Sequence, residues 1–315
     1  VHPAPADERN SDVQLGMVGL GRMGGNMAER LRAAGHEVVG YANDGSGDVG
    51  SLDELVKALS APRTLWLMIP AGEPTHSTVR SLADLLDEGD LVVDGGNSKF
   101  TDDTVHAELL DAHGIRYVDC GVSGGVWGRT EGYGLMAGGD PADIERMMPV
   151  FDALRPEGPR EEGFVHAGPV GAGHYAKMVH NGVEYGLMQA YAEGYELLNA
   201  GGPVENVGAV MKAWSRGTVV RSWLLDLMVR ALEDDPHLDR ITGYAEDSGE
   251  GRWTVDEAIL HAVPLPVISA ALFARFASRQ VDSPAMKAVA ALRAQFGGHA
   301  VHKAGDAALE PPTGG

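Results

Sequence analysis

Lys177, His180, Asn181 and Glu184 fall at i, i+3, i+4 and i+7 within KMVHNGVEYG (177–186). On an α-helix these four positions share one face. Lysine loses its charge readily when buried and can then act as a base near neutral pH. A glutamate in a desolvated cleft shifts the other way and can hold a proton. One stripe can thus offer a base and an acid to one small molecule. The same spacing also suits a solvated face, with Lys177 and Glu184 too far apart to support the helix. Gly182 and Gly186 each cost the helix roughly 1 kcal/mol relative to alanine, and a helical glycine often admits close approach of another group. Val179, Val183 and Met188 lie off the stripe and are expected in the core.

A second constellation, Gly19, Leu20, Gly21, Arg22, Met23 and Gly24, fits G-x-G-x-x-G. The motif carries weight because an apolar strand (13–20) precedes it and a helix (23–34) follows. Such a turn brings backbone N–H groups to a pyrophosphate, and the helix N-terminus adds partial positive charge. Cofactor choice is read after the second strand (37–41), where a carboxylate accepts from ribose hydroxyls or an arginine holds a 2′-phosphate. Here Ala42, Asn43 and Asp44 follow Tyr41. Ala42 can do neither task. Asp44 reaches a ribose if the loop bends toward it, and Arg22 is the one cation adjoining this corner in sequence. The reading favours NAD over NADP.

The elements that must position these residues alternate. Further strands are expected at 65–69, 91–94, 116–119 and 134–137. Helices are expected from Ser51, with Glu54 completing a capping box, and at 75–86, 101–113 and 142–154. That alternation predicts a parallel sheet with helices on both faces. Beyond about residue 165 the patterns are long and helical. The fold class is therefore α/β, an N-terminal doubly wound Rossmann-type domain followed by an all-helical C-terminal domain. We divide the chain into a loose tail (1–12), a dinucleotide-binding domain (13–168), a helical substrate and oligomerisation domain (169–302) and a second tail (303–315), with the boundary in the glycine-rich stretch 166–173.

Composition narrows the function. The 315 residues carry 25 Lys+Arg against 45 Asp+Glu, a net charge of −20. So acidic a chain is a poor binder of nucleic acid or anionic membrane, and an anionic substrate needs its own local cluster of cations. Cys120 is the only cysteine, which excludes an internal disulfide, and no Cys or His pair has metal-ligand spacing, so no metal is expected. No membrane span or signal peptide is visible, and a cytoplasmic location is expected.

Taken together, GLGRMG (19–24), DGGNS (94–98), VSGG (122–125), KMVHNGVEYG (177–186), SGEGRWT (248–254) and RAQFGGH (293–299) resemble, in family order, 6-phosphogluconate dehydrogenase, the decarboxylating enzyme of the pentose phosphate pathway. The chain looks like the short bacterial form. The resemblance implies that Lys177 is the general base and Glu184 the general acid. It implies substrate contacts from Asn97, Ser123, Gly124, Gly125, His180, Asn181 and Tyr185. Arg252 and Thr254 fall near the sugar phosphate, with arginine where the family has lysine. Arg293 and His299 match a tail pair that reaches a neighbouring subunit in longer relatives. Met23 falls near the nicotinamide, and Met68, Ile69, Pro70 and Asn97 complete the cofactor set, with Pro70 replacing a lysine. Two departures bear on the cofactor: Ala42-Asn43-Asp44 is neither the Asn-Arg-Thr of many NADP users nor the Asp of many short forms.

The implied reaction has three steps. Neutral Lys177 takes the proton of the carbon-3 hydroxyl as hydride leaves for the cofactor. The resulting β-keto acid loses carbon dioxide while the ammonium steadies the enolate. Glu184 then protonates carbon 1. Other β-hydroxyacid dehydrogenases, of the 3-hydroxyisobutyrate type, share the glycine loop and the helix lysine, and a non-catalytic dinucleotide-binding protein would keep the loop alone. A homo-oligomer, dimer or tetramer, is expected because the run 263–276 is apolar all round. His36, His76, His106 and His113 read as surface or packing residues, His261 as a core histidine, and Trp66, Trp214 and Trp223 as core or interface. Arg216 and Arg221 are left between phosphate binding and pairing with Asp226 and Glu233.

Overall fold

A computed structural model of the chain describes residues 12–297 and 300–302, the side chains at 296 and 297 excepted. The described chain divides into two compact units, 1–180 and 181–315. This division and the boundary read from the sequence fall on either side of the first turns of one long helix.

The first unit is a seven-stranded sheet. Its strands are β1 (Gln14–Val18), β2 (Glu37–Tyr41), β3 (Thr64–Leu67), β4 (Leu91–Asp94), β5 (Arg116–Ser123), β6 (Gly134–Gly139) and β7 (Phe164–Gly168). They lie in the order β2-β1-β3-β4-β5-β6-β7. The crossovers run through α1 (Arg22–Ala33), α2 (Leu52–Ala58), α3 (Glu73–Leu85), α4 (Phe100–Asp111) and α6 (Pro141–Leu154), and each joins parallel neighbours or returns across the sheet.

Two features depart from the all-parallel expectation. β6 runs antiparallel to β5, with Ser123 opposite Gly134. The intervening chain holds only a 3-10 turn and the four-residue α5 (Gly128–Glu131), and a parallel return needs a crossover of roughly a dozen residues or more. β7, parallel to β6, occupies residues read as linker. Its short half-exposed run at the sheet's edge gives little periodic signal.

Strand residues alternate between two cores. Met17, Trp66, Val93 and Val118 pack with Met27, Leu31 and Phe151 of α1 and α6. Leu65, Leu67 and Val92 pack with Leu55, Val79, Leu82 and Leu110 of α2, α3 and α4. Helices thus cover both faces, as each strand's apolar run requires. The capping box is present in a shifted form: Ser51 Oγ accepts from Glu54 N–H, while Glu54 Oε2 accepts from Gly50 N–H at 2.7 Å.

The strand order reverses at β1 and β3, where ligands bind in folds of this kind. Gly19 has φ +96, a backbone state disfavoured for side chains, and its N–H donates to Tyr41 O at 2.8 Å. A Cβ on Gly24 would lie 2.0 Å from Gly19 O, so the first turn of α1 is pressed against the loop before it. Gly21, the N-cap of α1, has nothing within 4 Å of an added Cβ.

The second unit is built of helices joined by loops, with no strand among its described residues. It takes up α7 (Ala172–Asn199) from the boundary onward, then α8 (Val207–Trp214), α9 (Trp223–Asp234), α10 (Glu250–Leu260), α11 (Pro266–Ser278) and α12 (Pro284–Gly297). One core joins Met211, Leu225, Val229 and Leu232, and another joins Tyr185, Ala271 and Leu272. Val179, Val183 and Met188, expected in the core, are exposed on the single chain. The apolar run 263–276 begins as a loop and becomes helical only at Pro266, with Val267 and Phe273 exposed. His261 is an exposed helix-end residue 3.3 Å from Glu257, not a core histidine. No described helix is long and apolar enough to cross a membrane.

Gly24→Ala is expected to lower the unfolding free energy of the first unit by about 1–3 kcal/mol, the usual penalty for overpacking. Chemical denaturation followed by Trp66 fluorescence measures it.

Candidate active site

The glycine turn is backed by the end of β3. An added Cβ on Gly19 would lie 2.4 Å from Met68 O and 2.8 Å from Ile69 Cγ2. Met68 and Ile69 are half-buried there, whereas Pro70 is exposed. No side chain caps α1, so the first N–H groups of that helix adjoin the open side of Gly21. An unobstructed glycine before an uncapped helix end suits a dinucleotide pyrophosphate. Arg22 is exposed and Met23 half-buried beside it.

After β2, Ala42 is half-buried and Asn43 and Asp44 are exposed. Asp44 Oδ1 accepts from the Ser46 hydroxyl at 2.6 Å and from Ser46 N–H at 3.0 Å. These bonds hold its carboxyl below the usual range. The nearby Arg32 is engaged by Asp48 Oδ2 and Val38 O.

At the end of β4, Asp94 Oδ1 accepts from Gly96 N–H and Oδ2 from the Ser98 hydroxyl. Asp94 thus pins the DGGNS turn, and Asn97 stands exposed at the tip. β5 ends in Ser123, followed by Gly124 and Gly125 at φ +141 and +53.

The start of α7 is fixed from below by buried carboxylates. Asp119 on β5 accepts from Gly171 N–H at 2.6 Å and His174 N–H at 2.8 Å. A carboxylate on these N-terminal groups is favoured by the helix dipole. His174 Nδ1 lies 2.9 Å from Asp103 of α4, which also accepts from the Tyr117 hydroxyl at 2.8 Å. Burial alone would lower the imidazole pKa, but Asp103 outweighs it and raises it to about 10. Burial in turn pushes Asp103 up to about 7, against the pull of His174. We assign the pair as imidazolium and carboxylate, since the imidazole shift is the one the close contact explains. Sequence spacing could not join residues 103, 119 and 174, and no part of this clasp was foreseen.

One turn further, Lys177 is buried at 8% exposure and packs on Gly121 of β5, where an added Cβ would lie 2.3 Å from Lys177 Cβ. Its Nζ is 3.4 Å from His180 Nδ1. α7 continues unbroken, so Asn181 and Glu184 follow on the same face. Asn181 is buried and His180 and Glu184 half-buried.

Within the second unit, the helical glycines do admit close neighbours. An added Cβ on Gly182 would lie 2.8 Å from Thr254 Cγ2, and one on Gly251 would lie 2.5 Å from the Tyr185 ring. Thr254 is buried and donates to Glu250 O. The Tyr185 hydroxyl and Glu250 Oε1 are buried without a hydrogen-bond partner among the described residues. Arg275 stacks on the Tyr185 ring at 3.5 Å, and Arg252 and Arg279 lie over Phe276 at 4.4 and 5.2 Å. Three guanidinium groups therefore gather around Tyr185, Phe276 and Asp247. It is a local cationic cluster on an otherwise acidic chain. Arg252 was read from sequence; Arg275 and Arg279 were missed, although their i, i+4 spacing in RFASR was a usable signal. Arg293 is exposed on α12, and His299 lies outside the described residues. Arg216 and Arg221 are exposed, and Glu233 pairs with Lys212 instead.

The chain is similar to known proteins over most of its length. Residues 14–156 match the NAD binding domain of 6-phosphogluconate dehydrogenase, and residues 173–307 match the C-terminal domain of the same family. An NAD(+)-dependent, decarboxylating 6-phosphogluconate dehydrogenase of Haloferax volcanii is 42% identical over 305 residues, covering 93% of this chain and all of the relative. The solved structure of Plasmodium falciparum 6-phosphogluconate dehydrogenase, studied with NADP+ and with its substrate, superposes with a TM-score of 0.73 at 25% identity, over 94% of this chain and 67% of that one. A Mycobacterium tuberculosis 3-hydroxyisobutyrate dehydrogenase shares the fold at 24% identity, with a TM-score of 0.67 over 90% of this chain and 99% of that one.

The clasp has a pH signature. His174 has a folded pKa raised above its unfolded value, so its contribution to stability is complete below about pH 6.5 and is lost as pH rises through about 10. Asp103→Asn leaves burial opposed only by the weaker pull of Asp94 and Asp119 on the imidazole and should remove most of that contribution. Thermal melts from pH 6 to 10 are expected to show the wild type's advantage over this variant shrinking as pH rises.

Proposed function

The chain belongs to the 6-phosphogluconate dehydrogenase family of NAD(P)-dependent decarboxylating dehydrogenases, and from that premise we propose that it converts 6-phosphogluconate to ribulose 5-phosphate and carbon dioxide. The observation that carries the choice of substrate is the arginine cluster around Tyr185. A short hydroxyacid without phosphate has no use for three guanidinium groups gathered on one aromatic pair.

In this reading the glycine turn and the N-terminus of α1 hold the dinucleotide, with Met23, Met68, Ile69 and Asn97 around the nicotinamide. The bound nicotinamide supplies a hydride acceptor. Lys177 takes the proton of the carbon-3 hydroxyl, and its burial against Gly121 keeps water from competing for the amine. The same nitrogen, now an ammonium, donates to the keto oxygen and stabilises the charge that develops there as carbon dioxide departs. Glu184 returns a proton to carbon 1. The two groups are separated by about 10 Å of helix rise, along which His180 and Asn181 orient the hydroxyls between them. Ser123, Gly124 and Gly125 place backbone donors near the carboxylate, and Arg252, Thr254, Arg275 and Tyr185 bind the phosphate. Arg293 and His299 are proposed as further contacts from the C-terminal segment.

NAD is the proposed cofactor. Asp44 is exposed just beyond β2, and its bonds to Ser46 keep it ionised. An adenosine 2′-phosphate would meet that charge, whereas a ribose hydroxyl can donate to it. The relative named NAD(+)-dependent supports the same choice.

Carbon dioxide release and cofactor reduction with 6-phosphogluconate test the reaction, and 3-hydroxyisobutyrate is the control substrate. Turnover of the control in preference to the phosphorylated sugar acid would overturn the reading. Lys177→Ala is expected to lower kcat by at least about 10²–10⁴-fold, because one group serves two steps. Glu184→Gln should lose turnover with KM largely kept.

For the cofactor, kcat/KM with NAD should exceed that with NADP, and Asp44→Asn should narrow the ratio several-fold. Equal ratios in wild type and variant would remove Asp44 from the argument.

A further inference from the structure

Asp247 is almost fully enclosed, with 4% of its side chain exposed, yet its partner Arg252 is 51% exposed. Arg252 Nε donates to Asp247 Oδ1 at 2.6 Å and Nη2 donates to Oδ2 at 3.0 Å. Arg279 Nη1 donates to the same Oδ2 at 2.9 Å. One buried carboxylate thus holds two guanidinium groups. The grip on Arg252 is side-on and leaves its Nη1 amino group outside it. The Phe276 ring lies 4.4 Å from the same guanidinium and limits its tilt. Hydrogen bonds from Arg252, and then from Arg279, keep the Asp247 carboxyl at about 2, so the clamp does not titrate near neutrality.

A half-exposed arginine otherwise samples many rotamers, and fixing it costs conformational entropy at the moment of binding. A guanidinium recognises phosphate through a planar fork, so direction matters as much as charge. We propose that Asp247 is a positioning residue for the substrate's phosphate, orienting the Arg252 fork in advance with Arg279 as its second ligand. The inference rests on the 6-phosphogluconate reading.

Charge alone argues for the reverse effect. An aspartate beside a phosphate dianion repels it, so neutralising Asp247 would tighten binding if the residue only added negative charge. The sign of the change in KM therefore separates positioning from simple electrostatics.

The test is a double-mutant cycle on the full-length enzyme with Asp247→Asn, Arg252→Lys and the double variant. In the Arg252 background, Asp247→Asn should raise KM for 6-phosphogluconate roughly tenfold. KM for the dinucleotide and kcat should stay within about twofold, a split that general destabilisation would not produce. In the Arg252→Lys background the same change should matter less than about twofold, because an ammonium has no plane to orient. A lowered or unchanged KM, or an equal rise in both backgrounds, would overturn the proposal. Should Asp247→Asn fail to fold by thermal melt, Asp247→Glu keeps the charge and moves the carboxylate by one methylene. It should raise KM with Arg252 but not with Lys, and an unchanged KM with Arg252 would again overturn it. Wild-type activity distinguishes the two claims. An active wild type without coupling removes the positioning role alone, while a wild type inactive on 6-phosphogluconate removes the substrate and this proposal together.

Discussion

The contact of the Asp119 carboxylate with the first N–H groups of α7 is the constraint on which the candidate site depends. Asp119 projects from β5, an interior strand of the sheet, and takes hydrogen bonds from Gly171 and His174. The helix is therefore held in rotation as well as position one turn before Lys177. Asp103 and His174 add a second anchor from α4. Burying these charges is costly unless each is paired and hydrogen-bonded; Asp103 and His174 pair with each other and Asp119 takes two backbone N–H groups, while His174 Nε2 has no hydrogen-bond partner among the described residues. The chain accepts that cost at the point where an amine must be aimed.

Close approach serves the same end. Gly173 has no room for a Cβ between Met136 O and Asp119, and Gly121 has none above Lys177. Lys177 thus packs on backbone on one side, one turn after the charge clasp that fixes the start of its helix. In the second unit Gly182 and Gly251 let α10 pack closely on α7, which seats Thr254 and Tyr185. The glycines that weaken α7 as an isolated helix let other elements approach it closely, on the side away from the 177–184 stripe.

Much of this was legible in the residues because local pattern and local function coincide. The glycine turn, the polar stripe of 177–184, Asp94 under its glycines and the two-part architecture all follow from periodicity and turn chemistry. What could not be read depends on pairing across distance. The reversal of β6 is decided by a connection too short for a crossover, and β7 is an edge strand with little alternation. The Asp103–His174 pair spans α4 and α7. The exposure of Val179 and Val183 was misjudged because apolar residues off a polar stripe were assumed to face the core of their own chain.

The arginine cluster is a local concentration of positive charge in an acidic protein. At physiological ionic strength the Debye length is about 8 Å, so the distant carboxylates behind the −20 charge are screened from the site. What a phosphate meets is set by the nearest groups: Arg252, Arg275 and Arg279 against Asp247 and Glu250. Arg275 is seated by its stack on Tyr185, and Arg252 and Arg279 by a shared carboxylate. An arginine fixed in plane by an acid gives up some of its attraction for an anion and gains direction in return. For recognition through a planar fork, direction is the scarcer quantity.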